Sequence, residues 1–442
     1  MSALNRRNFI AGSAAMASTQ ALGAVSASGE TDVAIVGAGA AGIAAARKVA
    51  AAGRRFVLIE ASDHVGGRCV TESRTFGVPY DRGAHWVHMP DINPVAKLSA
   101  RSGLEVYAAP PGQKLRMLKR NAREGEMEDY LAAIVKANRA IQDAARGKAD
   151  VSCAQALPKD LGDWRAAVEF VLGPFGCGKN LEEVSAVDFA RSLERDVDAF
   201  CRQGFGALLA KLADMPVQIN TPVQRMTSTR NSVEIETARG RIVARAAIVT
   251  ASNGVLTAGK IKFAPDLPKR QVDAIAKLSL GSYDHVALEL KGNPLQLQND
   301  DLVFEQAKGP RTAALLANVS GTPLCMVELA GKVGRELSQA GEAAMVDFAT
   351  GWLAELYGAD IKKALGKAHA TRWATEPWTL GAFSAAAPGG QPGRRAMMEP
   401  VRERLFFAGE AVHETLWGTV GGAWESGERA ADAALKLWGG RR

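Results

Sequence analysis

Three glycines near the start of the chain have a spacing that suits phosphate binding. Gly37, Gly39 and Gly42 form a Gly-x-Gly-x-x-Gly pattern, in which glycine permits a tight turn and lets backbone amides approach a phosphate at the positive end of a helix. Glu60 follows at roughly the 20-residue distance at which a carboxylate accepts the ribose hydroxyls of a dinucleotide. Because a carboxylate there disfavours a 2′-phosphate, the pattern favours FAD or NAD over NADP. The alternative is a turn of small residues that only packs a helix on a strand.

The elements that must position these glycines are a strand, a helix and a second strand. Residues 32–36 predict a short buried strand, residues 40–52 predict an alanine-rich helix that ends at Gly53, and residues 56–60 predict the second strand. This order is typical of the start of a parallel sheet covered by helices.

The rest of the chain alternates between helical and β-type patterns. Residues 126–200 have helical spacing and lack strand patterns, which predicts an inserted helical subdomain. Later segments predict strands at 217–219, 233–236, 247–249, 283–290, 325–329 and 405–409, and helices at 343–357 and 421–437. A hairpin is predicted across residues 238–240.

Four further motifs, in a fixed order, carry a resemblance to a known family. They are Val65-Gly66-Gly67-Arg68, Asp81-Arg82-Gly83-Ala84-His85-Trp86, Leu405-Phe406-Phe407-Ala408-Gly409-Glu410, and the glycine-rich run from Gly418 to Gly427. In these motifs the sequence resembles the flavin-containing amine oxidase family, which includes monoamine oxidases, polyamine oxidases and flavin-dependent histone demethylases. The resemblance covers nearly the whole chain after the leader and implies FAD.

The resemblance implies a place for each motif on the cofactor. Gly67 and Arg68 would lie at the phosphates, Gly409 and Glu410 at the ribitol phosphate, and the backbone of Val223 at the adenine. The segment that passes near the flavin ring would comprise Gly83, Ala84, His85 and Trp86. Thr419 and Val420 would open a helix toward the flavin, where backbone amides stabilise negative charge.

The resemblance also implies an α/β fold of two domains. A Rossmann-type FAD-binding domain with a parallel sheet would comprise residues 28–95, 201–284 and 396–442. A substrate-binding domain with a mixed sheet and helices would comprise residues 96–200 and 285–395.

The expected reaction chamber has one aromatic wall. Phe383 matches the family's aromatic residue that faces the flavin, and Ala382 stands where some members bond the flavin through Cys, so FAD is expected without a covalent bond. Thr419 replaces the second aromatic of monoamine oxidases, which implies a half-open cage. Trp373 belongs to the same segment; plain core packing is the alternative for Trp373 and Phe383.

Two histidines are further candidates for chemistry. The segment with His88 resembles polyamine oxidases, in which that position lies at the substrate channel; the alternative is a structural histidine. His285 stands where the family usually has a Lys that holds water near the flavin. We expect an imidazole there to lose the fixed cation and to titrate near neutral pH, because its ordinary pKa is about 6.5.

Composition excludes several other classes of protein. The net charge is +7, from 54 basic and 47 acidic residues, and the basic residues form no runs with interleaved aromatics, so nucleic-acid binding is not expected. Five cysteines form no CxxC pair, so no metal site is expected, and their odd number leaves at least one thiol free. Outside residues 1–27 no run of eighteen uncharged apolar residues occurs, so stable membrane insertion is not expected.

Residues 1–27 predict an export signal. Arg6 and Arg7 precede a weakly apolar stretch, and Val25-Ser26-Ala27 offers small residues for cleavage, which resembles a twin-arginine signal. The expected location is therefore periplasmic or secreted. The alternative is a disordered basic tail with a chance pair of arginines.

The predicted reaction is FAD-dependent oxidation of an amine to an imine, followed by hydrolysis to an aldehyde or ketone. The partners would be a small amine and oxygen or a periplasmic electron acceptor, acting on a monomer or homodimer. One alternative is an L-amino-acid oxidase, for which Arg372 is the nearest candidate to clamp a carboxylate. Another is a flavin-binding redox protein without catalysis.

Overall fold

The glycine motif directly follows the strand Thr31–Val36, a central strand of an eight-stranded sheet, and so lies where the strands of that sheet end. The structure, a computed structural model, describes residues 31–193 and 197–439. Across the sheet the strands are ordered Val217–Gln218, Phe56–Ile59, Thr31–Val36, Gly240–Val249, Val233–Thr237, Val223–Ser228 and Lys262–Ala264, and Leu405–Phe407 pairs with residues 247–249. The strands next to the motif run parallel, so their carboxyl ends meet at one edge.

Both faces of this sheet are covered by helices, as its uninterrupted apolar strands require. Val33 and Ile35 point to one face, which packs against the helices Ala40–Ala51 and Val420–Gly439. The intervening residues Ala34 and Val36 point to the opposite face. There the cover comes from the helices Lys269–Lys277 and Pro392–Met398.

The two helices on the first face run in the same direction. Near their starts, a Cβ added to Gly427 would lie 2.0 Å from the carbonyl oxygen of Ala41. Near their ends, the guanidinium of Arg54 lies 5.4 Å from the ring centre of Trp438. Both helix N-termini therefore point to the edge of the sheet that carries the glycine motif, where their partial positive charges add.

A second sheet of seven mainly antiparallel strands carries the later part of the chain. Its order is Leu365–Ala370, Tyr283–Leu290, Leu324–Ala330, Ala314–Ala317, Asp301–Glu305, Lys114–Met117 and Arg120–Asn121. One face packs against the helices Gly331–Ala340 and Glu342–Tyr357. Short sheets join Thr71–Glu72 to Tyr80–Asp81, and Val87–His88 and Val106–Ala108 to Asp198–Cys201.

A helical region precedes residue 193 and contains a π-helical turn. Its helices are Glu124–Ala144, Cys153–Ala156, Arg165–Phe170 and Ala186–Arg191, with the π-helical turn Val171–Phe175 and 3₁₀ turns at Gly162–Trp164 and Leu181–Glu183. The other helices are Pro94–Ser102, Phe205–Leu212, Asn253–Thr257 and Ile361–Ala364, with 3₁₀ turns at Val319–Gly321 and Glu410–Val412. π-helical turns are rare and often lie at functional sites.

The predicted fold class is confirmed, and the predicted hairpin forms between Val233–Thr237 and Gly240–Val249. The strand Tyr283–Leu290 and the helix Pro392–Met398 run across predicted domain boundaries, so the division into domains stays a prediction. The predicted leader, residues 1–27, lies outside the described residues.

Residues 31–193 and 197–439 include no helix that is long and apolar enough to cross a membrane. Within the same ranges, no group of three or more His, Cys, Asp or Glu side chains is placed to hold a metal ion. All five cysteines lie within these ranges, and they are buried and form no disulfide with one another.

Candidate active site

The glycine turn is shaped by close backbone approaches. Gly37 has φ +104°, and a Cβ there would lie 2.4 Å from Thr250 Oγ1; a Cβ on Gly42 would lie 1.8 Å from the carbonyl oxygen of Gly37. The Thr250 hydroxyl donates to that carbonyl at 3.1 Å. At Gly39, by contrast, the nearest atom to an added Cβ is 3.8 Å away. Gly37 and Gly42 therefore fix the turn, and Gly39 leaves the helix start open to a ligand.

Glu60 lies directly beside this turn. Its buried carboxylate accepts the amide of Ala38 at 2.7 Å and the amide and hydroxyl of Ser62, both at 2.8 Å. A carboxylate has about four acceptor positions, so Glu60 keeps capacity for a ribose hydroxyl. Its carbonyl oxygen accepts the amide of Thr221 at 2.8 Å, which brings Val223 near the same edge; the adenine contact of Val223 stays a prediction.

The open edge fits a dinucleotide cofactor. Two helix N-termini point there, Gly39 leaves space beside one of them, and Glu60 supplies a buried acceptor. Gly66 and Gly67 lie against the turn, since the amide of Gly66 donates to the carbonyl oxygen of Ala38 at 2.8 Å. These groups suit a diphosphate and a ribose.

Arg68 and Glu410, which are 342 residues apart in the chain, form an ion pair at the same edge. Arg68 Nη1 lies 3.0 Å from Glu410 Oε1 and also donates to the carbonyl oxygen of Ala382. The second oxygen of Glu410 accepts the Ser384 hydroxyl at 2.7 Å and the Gly418 amide at 3.1 Å. The ion pair therefore joins two predicted cofactor motifs to the segment that carries Phe383.

Gly409 is the other member of that closing motif, and Ser426 fixes it. The amide of Gly409 donates to Ser426 Oγ at 2.8 Å, and the Ser426 hydroxyl donates back to the carbonyl oxygen of Gly409 at 3.0 Å. Ser426 belongs to the C-terminal helix Val420–Gly439, so this helix holds the strand end that carries Glu410.

The segment from Gly83 to Trp86 passes close behind Arg68. A Cβ on Gly83 would lie 1.9 Å from the carbonyl oxygen of Arg68, which accepts the amide of Ala84 at 2.9 Å. His85 is buried, with Nδ1 2.8 Å from Asp81 Oδ2. The side chain of His85 therefore supports the segment from within the core, and a backbone contact of His85 with the cofactor stays a prediction.

Phe200 supports the two aromatic side chains of this segment. The ring of His85 stacks on Phe200 with centroids 4.7 Å apart, and the ring of Trp86 tilts against it at 4.8 Å. Phe200 is fully buried, so it fixes the side chains of the segment while the backbone faces the cofactor edge.

His285 is a buried cation. Nδ1 lies 2.6 Å from Glu328 Oε2, directly across the strand pair, and Nε2 lies 2.7 Å from the carbonyl oxygen of Gly83. Both partners are acceptors, so both ring nitrogens donate and the ring is an imidazolium. Burial by itself lowers the pKa of His285, but the charge and hydrogen bond of Glu328 and the Gly83 carbonyl raise it overall to about 9.

Two expectations about His285 are therefore wrong. The site keeps a fixed cation, and the ring does not titrate near neutral pH, because the Glu328 carboxylate compensates for burial. Since Nε2 donates to Gly83, that nitrogen is also occupied by protein rather than by a water. The hydrogen bond from His285 to Gly83 links the second sheet to the cofactor edge.

Phe383 lies in a slot between glycines and faces a second aromatic ring. Cβ atoms added to Gly178 and Gly418 would lie 3.4 and 3.2 Å from its ring. The ring of Tyr283 is 5.6 Å away, and Tyr283 in turn contacts Phe175 of the π-helical turn at 6.1 Å. These rings form an aromatic cluster, called the aromatic chamber, beside His285, whose ring centre is 5.8 Å from that of Tyr283.

Thr419 acts as the N-cap of the C-terminal helix. Its hydroxyl accepts the Gly422 amide at 2.9 Å and donates to the Leu416 carbonyl oxygen at 2.8 Å. The cap fixes Val420 as the first helical residue. Thr419 follows Gly418, which touches Phe383. Tyr283 contacts Phe383 directly, and the half-open cage implied by Thr419 stays a prediction.

Trp373 supports the chamber from behind. Its indole nitrogen donates to the Arg82 carbonyl oxygen at 3.1 Å, and its amide donates to Asp284 Oδ1 at 2.8 Å. Burial raises the pKa of Asp284 to about 6, although hydrogen bonds from the Trp373 amide and the Thr371 hydroxyl oppose the shift. Trp373 is buried and packs under Gly83; a catalytic role for it stays a prediction.

His88 lies at a more exposed position. Its side chain is 46% exposed, and Nδ1 lies 2.8 Å from Asp198 Oδ1. The carbonyl oxygen of His88 accepts a hydrogen bond from Asn93 at 3.1 Å, and Asn93 packs against Gly421 at the start of the C-terminal helix. A role at a substrate channel stays a prediction.

Three residues of the chamber were not predicted from the sequence. Tyr283 is two positions before His285 and so shares its face of the strand, a signal that was present. Glu328 is an isolated acidic residue in the apolar run 324–330, which is the pattern of a buried charge that needs a partner. Phe175 has no comparable signal, because a π-helical turn is not evident from sequence spacing.

Known proteins match this chain in sequence over most of its length. The family model for flavin containing amine oxidoreductase matches residues 40–435. Lysine-specific histone demethylase 2 of Homo sapiens is 26% identical over 435 residues, covering 90% of this chain and 53% of that protein. Polyamine oxidase 4 of Oryza sativa subsp. japonica is 25% identical over 442 residues, covering 91% and 88%. The chain thus spans about half the length of the histone demethylase.

Solved structures share the fold. Wild-type putrescine oxidase bound to putrescine superposes with a TM-score of 0.78 at 19% identity, covering 92% of this chain and 99% of that one. Cyclohexylamine oxidase from Brevibacterium oxydans IH-35A superposes with a TM-score of 0.78 at 18% identity, covering 93% and 100%. With the dinucleotide edge, the ordered motifs and a family match over most of the chain, the protein belongs to the flavin-containing amine oxidoreductase family.

Proposed function

We propose that the protein uses FAD to oxidise the C–N bond of a small amine to an imine, which water then hydrolyses to an aldehyde or ketone. The observation that carries the proposal is the position of the aromatic chamber of Phe383 and Tyr283 beside the buried cation His285, which bonds to the cofactor segment at Gly83. The bound flavin supplies the acceptor for the α-hydrogen of the amine as hydride.

The chamber favours the reactive form of the substrate. An amine must be neutral to release hydride from the adjacent carbon, and an apolar chamber disfavours the charged ammonium form. The acidic side chains that border the chamber are committed elsewhere: Glu328 to His285 and Glu410 to Arg68. Neither carboxylate is left to hold the substrate as a cation.

His285 contributes a positive charge that does not depend on pH in the neutral range. Because its pKa is about 9, the imidazolium persists while the substrate amine loses its proton. A fixed charge in a buried site stabilises negative charge that develops nearby without reorganisation of solvent. The capped helix start at Thr419 and Val420 adds a second positive end.

The position of Arg372 argues against an amino acid as the substrate. Arg372 Nε donates to the carbonyl oxygen of Ser338 at 2.8 Å, on the helix Gly331–Ala340. That helix covers the face of the second sheet to which Ser282 points, since Ser282 Oγ is 3.6 Å from a Cβ added to Gly334. His285 is three positions later and points to the opposite face. Arg372 is therefore separated by the sheet from the chamber.

The proposal covers small amines in general, because two observations on the class of amine point in opposite directions. The segment with His88 resembles polyamine oxidases, but the net charge of +7 opposes electrostatic steering of a dication. We also propose oxygen, or another periplasmic acceptor, as the final oxidant.

An anaerobic amine panel tests the proposed reaction. Purified protein should be yellow and should release FAD into solution on heat denaturation, because Ala382 offers no bond to the flavin. Primary alkyl, arylalkyl and diamine substrates are mixed with it, and visible flavin absorbance is followed. Bleaching by at least one amine, and peroxide release in air, are expected. Bleaching by no amine in a flavin-loaded protein would indicate the redox-protein alternative.

We further propose export through the twin-arginine pathway. The support is the Arg6-Arg7 pair followed by a weakly apolar stretch and small residues at 25–27. Replacement of both arginines by Lys should retain the protein in the cytoplasm, as measured by fractionation. Unchanged periplasmic yield would refute the signal.

A further inference from the structure

The backbone on either side of Phe383 is held by charged side chains. Residues 382–386 are called the Phe383 segment. From the cofactor side, Arg68 donates to the carbonyl oxygen of Ala382, and Glu410 accepts the amide of Ser384 at 3.2 Å. These contacts fix the first half of the segment to the motifs that surround the cofactor.

Two buried charges from the helical region fix the second half. Lys179 Nζ donates to the carbonyl oxygen of Ala385 at 2.7 Å, and Asp188 Oδ2 accepts the amide of Ala386 at 2.8 Å. Lys179 is 2% exposed and Asp188 is fully buried. The cofactor motifs therefore hydrogen-bond to the first half of the Phe383 segment, and the helical region hydrogen-bonds to its second half.

Asp188 is in turn fixed by Arg394. Arg394 Nε and Nη2 reach the two oxygens of Asp188, each at 2.7 Å, and both side chains are fully buried. Arg394 also donates to the carbonyl oxygen of Ala411 at 3.0 Å and lies 4.9 Å from the ring centre of Trp417. A bidentate pair restricts orientation strongly.

Stability alone does not account for this ion pair. Removing two charges from water costs about as much as their attraction returns, so apolar pairs of similar volume are often equally stable. What the pair does provide is a fixed acceptor for the amide of Ala386. Tyr283 contacts the ring of Phe383 on one side, whereas Gly178 and Gly418 offer it no side chain on the others. The position of the ring therefore depends on the position of its backbone.

We propose that Asp188, held by Arg394, is a positioning residue that sets the place of the Phe383 ring. It thereby sets the selectivity between narrow alkyl amines and wider arylalkyl amines. This assignment rests on the proposed function, in which Phe383 faces the amine. Asp188 acts through the backbone of the Phe383 segment and touches no substrate.

A double-mutant cycle tests the route through Phe383. The ratio of kcat/KM for butylamine to kcat/KM for benzylamine is measured for the wild type, Asp188→Asn, Phe383→Ala and the double variant. Asp188→Asn should move the ratio at least threefold toward that of Phe383→Ala, and the double variant should match Phe383→Ala within twofold. Additive changes in the ratio, or no change in Asp188→Asn, would overturn the proposal.

A second variant and a control separate positioning from general destabilisation. Asp188→Leu with Arg394→Met removes both charges at similar volume and leaves the amide of Ala386 without an acceptor, whereas Asp188→Asn removes the charge and keeps one acceptor oxygen. The double replacement should therefore shift the ratio at least as far as Asp188→Asn does. Arg116 is a matched control. It is buried in the second sheet, and it donates at 2.6 Å to the carbonyl oxygen of Leu356, on a helix that covers this sheet. Arg116→Met should lower the melting temperature and leave the ratio unchanged.

Two readouts do not require turnover. Hydrogen exchange of a peptide that spans the Phe383 segment should increase in Asp188→Asn holoenzyme and stay at the wild-type level in Arg116→Met. Binding of tert-butylamine and cumylamine, which lack an α-hydrogen, should lose its size discrimination in Asp188→Asn. If wild-type enzyme oxidises no amine, the proposed function fails, and exchange still decides the present proposal: unchanged protection of the segment in Asp188→Asn refutes it.

Discussion

Replacement of Glu328 by Gln should remove the positive charge of His285 at neutral pH. Burial of His285 remains in the variant and lowers the pKa of the ring, whereas the carboxylate that raises it to about 9 is gone. The two side chains are 5% and 2% exposed, so solvent screens this pair little. We therefore expect a neutral His285 in Glu328→Gln and an imidazolium in the wild type.

The magnitude follows from the pKa of His285. The difference between 6.5 and about 9 corresponds to about 3 kcal/mol, since a tenfold change in proton affinity is worth about 1.4 kcal/mol. A pKa that is raised in the folded state contributes stability that is fully present below about pH 6.5 and lost as the pH rises through about 9. The contribution should therefore be about 3 kcal/mol near pH 7 and below about 1 kcal/mol at pH 9.

The assay is chemical unfolding of both proteins between pH 6.5 and 9.5 at one FAD concentration, since ligand binding also shifts stability. Burial, followed by the nearby Glu328, holds the pKa of Tyr283 well above its usual value, so Tyr283 adds no pH dependence in this range. Asp198→Asn is the control, because it removes a carboxylate beside the half-exposed His88 and should have little effect.

Two results would refute the reasoning. One is an unfolding free energy with the same pH dependence in the wild type and in Glu328→Gln. The other is a wild-type His285 whose imidazole resonance titrates near pH 6.5 in NMR of ¹³C-histidine protein, which has six histidines to assign.

Other substitutions test the remaining parts of the site. Gly83→Ala should lower the flavin bound per mole of protein, measured by visible absorbance, because its Cβ would lie 1.9 Å from the carbonyl oxygen of Arg68; normal loading would contradict the close approach. Thr419→Val should lower the free energy of unfolding by about 1 kcal/mol through loss of the helix cap, and an unchanged value in urea denaturation would exclude that role. Arg372→Met should leave KM for amines within twofold in steady-state kinetics; a tenfold rise would place it in the chamber after all.

The local part of the site was predictable from the sequence. The turn at Gly37 and Gly42 depends on residues within a few positions, and each glycine there is required by a contact that a Cβ would occupy. Glu60 follows from the end of the next strand. Such signals survive in a single sequence because the backbone conformation that needs them is itself local.

The ionisation state of His285 was not predictable in this way. Its partner Glu328 is 43 residues away in the chain and becomes its neighbour only through strand pairing. The carbonyl of Gly83, which accepts from the other nitrogen, is 202 residues away. A reference pKa describes an isolated side chain, so the error lay in the unknown environment.

Apolar spacing also fixed the type of an element better than its buried face. A helix, Glu124–Ala144, forms within the region 126–200 that was predicted to be helical, although the strand Asp198–Cys201 at the end of that region was not predicted. The apolar residues Leu131 and Val135 of this helix are 43% and 58% exposed, and its buried side includes Ala133 and Ala137. Which face packs depends on what the rest of the chain brings to it. Spacing alone states only that a face exists.

The charges around the chamber form three paired sets, and the pairing itself bears on the chemistry. Arg68 with Glu410, His285 with Glu328, and Arg394 with Asp188 each join a cation to an anion. An unpaired carboxylate in such a place would bind the substrate as ammonium, whose lone pair is unavailable for hydride release. Pairing keeps these anions from doing so, and it holds the cofactor motifs and the aromatic rings in fixed relative positions. The same ion pairs that orient the site would therefore also keep it suited to the neutral amine of the proposed reaction.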